Sequence, residues 1–110
     1  MASLSNYLRI HRKRLSLSQE EVAFLLGARG LDKGSKVCRD ENFAREPSLQ
    51  AALAYEVIYG KSVRELFAGL HAQVEREVVE RAGVLRHRKI KKSKPKREEA
   101  INRISSKLTF

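Results

Sequence analysis

Apolar residues along the chain recur at three- and four-residue intervals, and the every-second-residue alternation of a half-buried strand appears nowhere over a useful length, which predicts an all-α fold. The clearest segment is Ser18-Gln-Glu-Glu-Val-Ala-Phe-Leu-Leu-Gly27. Ser18 can cap a helix while Glu21, three residues on, reaches back to the cap, the spacing of a capping box. Val22, Ala23 and Leu26 then share a face with Leu25 beside it, and Gly27 stands where a helix ends. A helix this short is not stable alone in water, so it must lean on its neighbours.

Those neighbours are predicted in turn. Residues 5–14 form a first helix with Leu4, Leu8 and Leu15 on one side and Arg12-Lys13-Arg14 at its end, where cations suit the helix dipole. His11 lies near the apolar face and reads as a half-buried packing residue. The connection Leu15-Ser16-Leu17 is so short that the first two helices must be adjacent. A polar stretch containing Gly30 and Gly34 follows Gly27, and a third helix runs to Phe43 from Asp32 or Ser35, either of which can cap it. Ser48 and Gly60 bracket a fourth helix with Leu49, Ala52, Leu53, Val57 and Ile58 as its apolar positions. Ser62 and Glu65 make a second capping box for a fifth, which turns Val63, Leu66 and Phe67 inward. Residues 1–69 are thus expected to form a compact five-helix domain.

Leu70, Val74, Val78 and Ala82 mark a sixth, amphipathic helix over 70–83, ending at Gly83. Its stripe is narrow, which favours packing on the domain over pairing with a second copy. Residues 84–110 read as a basic tail. Arg86, Arg88, Lys89, Lys91, Lys92, Lys94, Lys96 and Arg97 crowd into twelve residues, and that charge density together with Pro95 predicts disorder until bound. A short last helix is expected from Glu98 to Leu108 through Ile101 and Ile104.

Charge sharpens this division. The chain of 110 residues carries a formal net charge of +10. Residues 84–110 hold ten Lys/Arg against two acids, and residues 1–83 thirteen against eleven, so +8 lies in the tail and +2 in the body. An anionic partner for the tail follows, either nucleic acid or a membrane surface. No apolar run approaches the ~20 residues of a membrane span and the N-terminus lacks a secretory apolar region, so a cytoplasmic protein is expected. Cys38 is the single cysteine and reads as a small packing residue, with no disulfide and no thiolate metal centre. No paired carboxylates, Ser/His/Asp set, phosphate-binding glycine loop or metal-ligand spacing is present, so neither enzyme activity nor a cofactor is expected.

Four pieces, in order and in register, carry a family resemblance: Leu17-Ser18-Gln19-Glu20-Glu21-Val22-Ala23 with Leu26-Gly27, then Val37-Cys38-Arg39 with Glu41, then Pro47-Ser48-Leu49, then Ser62-Val63-Arg64-Glu65-Leu66-Phe67. Residues 4–67 resemble the helix-turn-helix DNA-binding domain of the phage repressor and Cro (XRE-like) family. The resemblance implies that Arg12 and Glu41 pair as a structural bridge. It implies that Gln19 grips a backbone phosphate and braces the third helix, which would lie in the major groove. Gly34, Ser35 and Lys36 then face outward with Arg39 one turn on, Cys38 beside it and Lys33 before them, while Asn42 and Arg45 lie near the sugar-phosphate backbone. Two features depart from the family pattern: the turn from Gly27 to Val37 is longer, and Asp40 stands where an apolar or aromatic residue is usual. Asp40 is expected to point to solvent or to meet an arginine such as Arg45.

The expected function is sequence-specific binding of double-stranded DNA by a transcriptional regulator, a repressor-like homodimer whose basic tail adds phosphate contacts. Two rivals stand beside it. One is a protein-interaction module, such as the antitoxin of a toxin–antitoxin pair; the other is a non-specific nucleic-acid binder working through the tail.

Overall fold

The computed structural model describes residues 6–28, 34–44, 46–88 and 94–107. Among them the chain is all-α, with helices α1 (Leu8–Arg14), α2 (Gln19–Leu25), α3 (Ser35–Glu41), α4 (Leu49–Tyr59), α5 (Val63–Leu66), α6 (Ala68–His87) and α7 (Pro95–Ser105). None is long and apolar enough to cross a membrane. The chain divides into two compact units, Met1–Leu70 and His71–Phe110.

In the first unit local chemistry sets most helix ends. Ser18 Oγ accepts the Glu21 amide at 3.0 Å, and the Ser18 amide donates to Glu21 Oε1 at 2.9 Å, so both halves of the capping box are made. Ser48 and Ser62 cap α4 and α5 in the same way from one side, accepting the amides of Ala51 and Glu65. Ser16 turns the chain between α1 and α2 with a left-handed φ of 57°, and Gly60 ends α4 with φ 66°. The α1 helix is shorter than its pattern suggests: Asn6 Oδ1 accepts the Leu8 amide and the helix starts there.

The core gathers Leu8 from α1, Val22 and Ala23 from α2, Val37 from α3, Ala51, Ala52, Tyr55 and Tyr59 from α4, and Leu66 and Phe67. His11 is half-buried as expected, its ring 6.3 Å from that of Tyr59. Burial lowers its pKa from the ordinary 6.5, helped by the neighbouring charges of Arg14 and Lys61.

Several expectations for the packing and helix ends of this unit fail. Leu15 is exposed rather than on the inner side of α1. The inward face of α4 is Ala51, Ala52, Tyr55 and Tyr59, whereas Leu49, Leu53 and Val57 form an exposed stripe. Tyr55 and Tyr59, stacked at 5.9 Å, bring more surface to bury than the leucines, and small Ala51 and Ala52 let α4 approach closely. The third helix is not capped by Ser35, which is its first residue, and Asp32 lies outside the described residues. Gly34 holds the cap position, and the helix stops at Glu41 before a turn in which Phe43 has φ 54°.

The second unit departs further from the sequence reading. Helix α6 does not end at Gly83 but runs through it to His87, with Arg86 and His87 in its last turn. One glycine costs a helix only ~1 kcal/mol, less than twenty residues of continuous hydrogen bonding return. Pro95 does not oppose structure either. It opens α7, where its missing N–H is no loss. Lys96 and Arg97 therefore lie in a helix that ends at Ser105, with Ile101 buried. Leu4, Ser5, Gly30 and Leu108 lie outside the described residues.

Candidate nucleic-acid interface

The candidate interface is built on α3, which is short enough for each residue to have one role. Val37 and Asp40 are fully buried, one helical turn apart, and define its inner side. Ser35, Arg39 and Asn42 recur at intervals of four and three residues and are all exposed, with Lys36 and Cys38 half-buried on the flanks. The Asn42 amide donates to Cys38 Sγ at 3.5 Å, which places both along the outer edge.

Asp40 corrects the sequence reading most sharply. Arg45 lies outside the described residues, and Asp40 does not meet solvent. It is buried, and its Oδ2 accepts the Tyr55 hydroxyl at 2.7 Å. Its backbone carbonyl accepts the Asn6 side-chain amide at 3.0 Å. Burial and the adjoining carboxylate push the Tyr55 pKa well above the usual 10. Neither Tyr55 nor Asn6 stands out in the sequence. The one signal there is the spacing of Tyr55 and Tyr59, four apart on a helix whose leucines dominate its pattern.

The second carboxylate of α3 also turns inward. Glu41 accepts from Arg12 Nε at 2.6 Å and from the same guanidinium's second nitrogen at 3.2 Å. Arg12 uses its remaining terminal nitrogen on the Leu17 carbonyl at 3.0 Å, so one side chain joins α1, the α1–α2 connection and the end of α3. The bond to Glu41 raises the Arg12 pKa further. Gln19 completes the cluster by donating its amide to Glu41 Oε1 at 3.1 Å. That bond uses one of two N–H groups, leaving the other for an acceptor outside the cluster.

Gln19 also fixes the opposite end of α3. Gly34 has φ 94°, and a Cβ built on it would stand 2.7 Å from Gln19 Cβ and 2.8 Å from its carbonyl carbon. Only glycine fits there. Gly34 is therefore buried against α2 and does not face outward. With both acids engaged inside, Lys36 and Arg39 are the charges that α3 shows outside. Exposed Arg9, Lys13 and Arg14 add cations on neighbouring α1, and exposed Glu20 opposes them at the start of α2.

Of the other sequence-predicted cations, Arg86 lies in the last turn of α6, Arg88 directly follows it, and Lys94, Lys96 and Arg97 surround the start of α7. Arg97 pairs with Glu98 at 3.2 Å. Lys33, Lys89, Lys91 and Lys92 lie outside the described residues. Among the described residues no cluster of His, Cys, Asp or Glu could hold a metal ion. Comparison of the chain with protein-family models, with curated proteins and with solved structures finds no match.

Proposed function

We propose that the first unit binds double-stranded DNA through the outer face of α3 and regulates transcription in a sequence-dependent way. One observation carries the reading: α3 turns both its carboxylates into the protein and leaves Ser35, Arg39 and Asn42 outside with Lys36 on the flank. A helix carrying an exposed acid would repel phosphates; this one presents hydrogen-bonding groups and positive charge. Arginine can hold guanine O6 and N7 in a bidentate pair, and serine and asparagine can read other base edges in the major groove. The second amide hydrogen of Gln19 suits a backbone phosphate, which would set the register of α3 without reading sequence. The helix-turn-helix resemblance over residues 4–67 supports the same assignment. Arg86, Arg88, Lys94, Lys96 and Arg97 then add phosphate contacts.

The protein-interaction reading has its own support in the exposed stripe Leu49, Leu53 and Val57. The two readings part on one experiment: selection of bound sites from random DNA, followed by titration of Arg39→Ala on the selected and on random duplexes. The DNA reading expects a loss of about 1–3 kcal/mol on the selected site and relaxed preference at one base pair. Failure of the intact chain to enrich any sequence refutes it.

A further inference from the structure

The outer face of α2 lies opposite Val22 and Ala23, which are buried, and Leu26, which is half-buried. A helix packed on a small core is expected to carry polar residues there. Instead Phe24 is 77% exposed and Leu25 53%. With Leu17 they form the apolar floor of an open groove whose remaining lining residues are Glu20 and Glu21. Each acid stands one helical turn before an apolar residue, Glu20 before Phe24 and Glu21 before Leu25, so two parallel rows run along the face.

The charge of this face runs against that of the chain. The net charge is +10, yet neither acid has an ion-pair partner among the described residues. Glu21 is engaged in the capping box, whereas Glu20 is exposed and serves no cap. Two adjoining carboxylates repel a phosphate backbone, so the face is unsuited to nucleic acid. The groove measures about 480 Å³, within the ~300–1,000 Å³ of small-molecule sites. Its lining, however, comes only from α2 and the connection before it, with no second element as a facing wall. A small ligand cannot be enclosed there, and a partner must bring the other wall itself.

We infer that this face docks a helical segment of another protein, one that sets Lys or Arg three or four residues from an apolar side chain. The segment's apolar residues cover Leu17, Phe24 and Leu25, and its cations meet Glu20 and Glu21 one turn away. Burial of Phe24 drives the association, and the two acids choose a basic partner over a neutral or acidic one. The inference neither needs DNA binding by α3 nor follows from it.

The test pans the full chain with a displayed library of helical peptides about sixteen residues long, enough to hold a helix, and keeps those that bind wild type but not Phe24→Ser. The kept peptides are expected to combine Lys or Arg with apolar residues at the stated spacing. Glu20→Lys should weaken them at least about tenfold at low salt and less at high salt, with Glu20→Gln acting in the same direction. Phe24 and Glu20 are both exposed, so the variants should keep the wild-type Tm, and Glu20→Gln removes a charge without touching the apolar floor. If no peptide discriminates wild type from Phe24→Ser, the inference is overturned. Kept peptides that are neutral or acidic, or that ignore both Glu20 variants, overturn it as well. Loss of DNA affinity in Phe24→Ser gives the face to nucleic acid, and a wild-type dimer that Phe24→Ser dissociates gives it to a second copy; either result overturns the inference equally.

Discussion

Replacing Arg12 by alanine tests the packing of the first unit at its most connected point. The Glu41 side chain is 2% exposed and that of Arg12 11%. Arg12→Ala therefore leaves a carboxylate out of water with the Gln19 amide as its remaining partner, and also removes the bond to the Leu17 carbonyl. Breaking a buried pair from one side costs about 3–5 kcal/mol, far above the ~0.2–1 kcal/mol of an exposed pair. Glu41→Ala should cost less, about 1–3 kcal/mol, because the guanidinium keeps Leu17 and is nearer to solvent. The double variant should fall short of the sum of the two by at least about 1 kcal/mol. All three tyrosines lie at or before residue 59, so tyrosine fluorescence during urea unfolding reports this unit selectively. The cost should persist in high salt, because buried charges are poorly screened. An Arg12→Ala variant within about 1 kcal/mol of wild type, or strict additivity in the double, would refute the argument.

Three further outcomes are expected. Gly34→Ala should destabilise by about 2 kcal/mol or more in the same assay, whereas Gly27→Ala, with φ 91° but nothing within 4 Å, should cost only the ~1–2 kcal/mol of left-handed strain. His11 has a folded pKa below the 6.5 of the unfolded chain, so the unfolded state binds the extra proton. Stability should then fall as pH drops below about 6.5 and level off beneath the lowered pKa, and His11→Gln should flatten that part of the Tm–pH curve. Replacing Arg86, Arg88, Lys94, Lys96 and Arg97 by glutamine should lower the slope of log K against log salt by about 0.9 for each phosphate no longer neutralised. Preference between sites should survive; its disappearance would move sequence reading away from α3.

What can be read from sequence is what depends on near neighbours. Ser18 and Glu21 meet three residues apart, so their capping box is legible, as are the serine caps of α4 and α5 and the all-α class. The Arg12–Glu41 pair spans 29 residues, and a family pattern rather than periodicity suggests it. The fate of Asp40 depends on Tyr55, 15 residues away on another helix, and nothing local records that partnership. On α4 the leucines point to the wrong face, because hydrophobicity alone takes no account of size. Two large rings and two small alanines pack better. Gly83 and Pro95 mislead for a simpler reason: both are helix breakers on average, yet a mid-helix glycine is tolerated over twenty residues and a proline at the first position is harmless.

The seven-residue lengths of α1, α2 and α3 have a consequence for motion. None can persist as an isolated helix, so none can fray and re-form independently of the others. Glu41 ties all three at one point, and Gln19 touches both ends of α3. The amide protons of α2 and α3 should therefore exchange with solvent through one shared opening, and loosening the Glu41 cluster should speed exchange in both helices together. For a ligand meeting Ser35, Arg39 and Asn42, the spacing of these groups is set before binding, and little chain entropy remains to be given up as the complex forms.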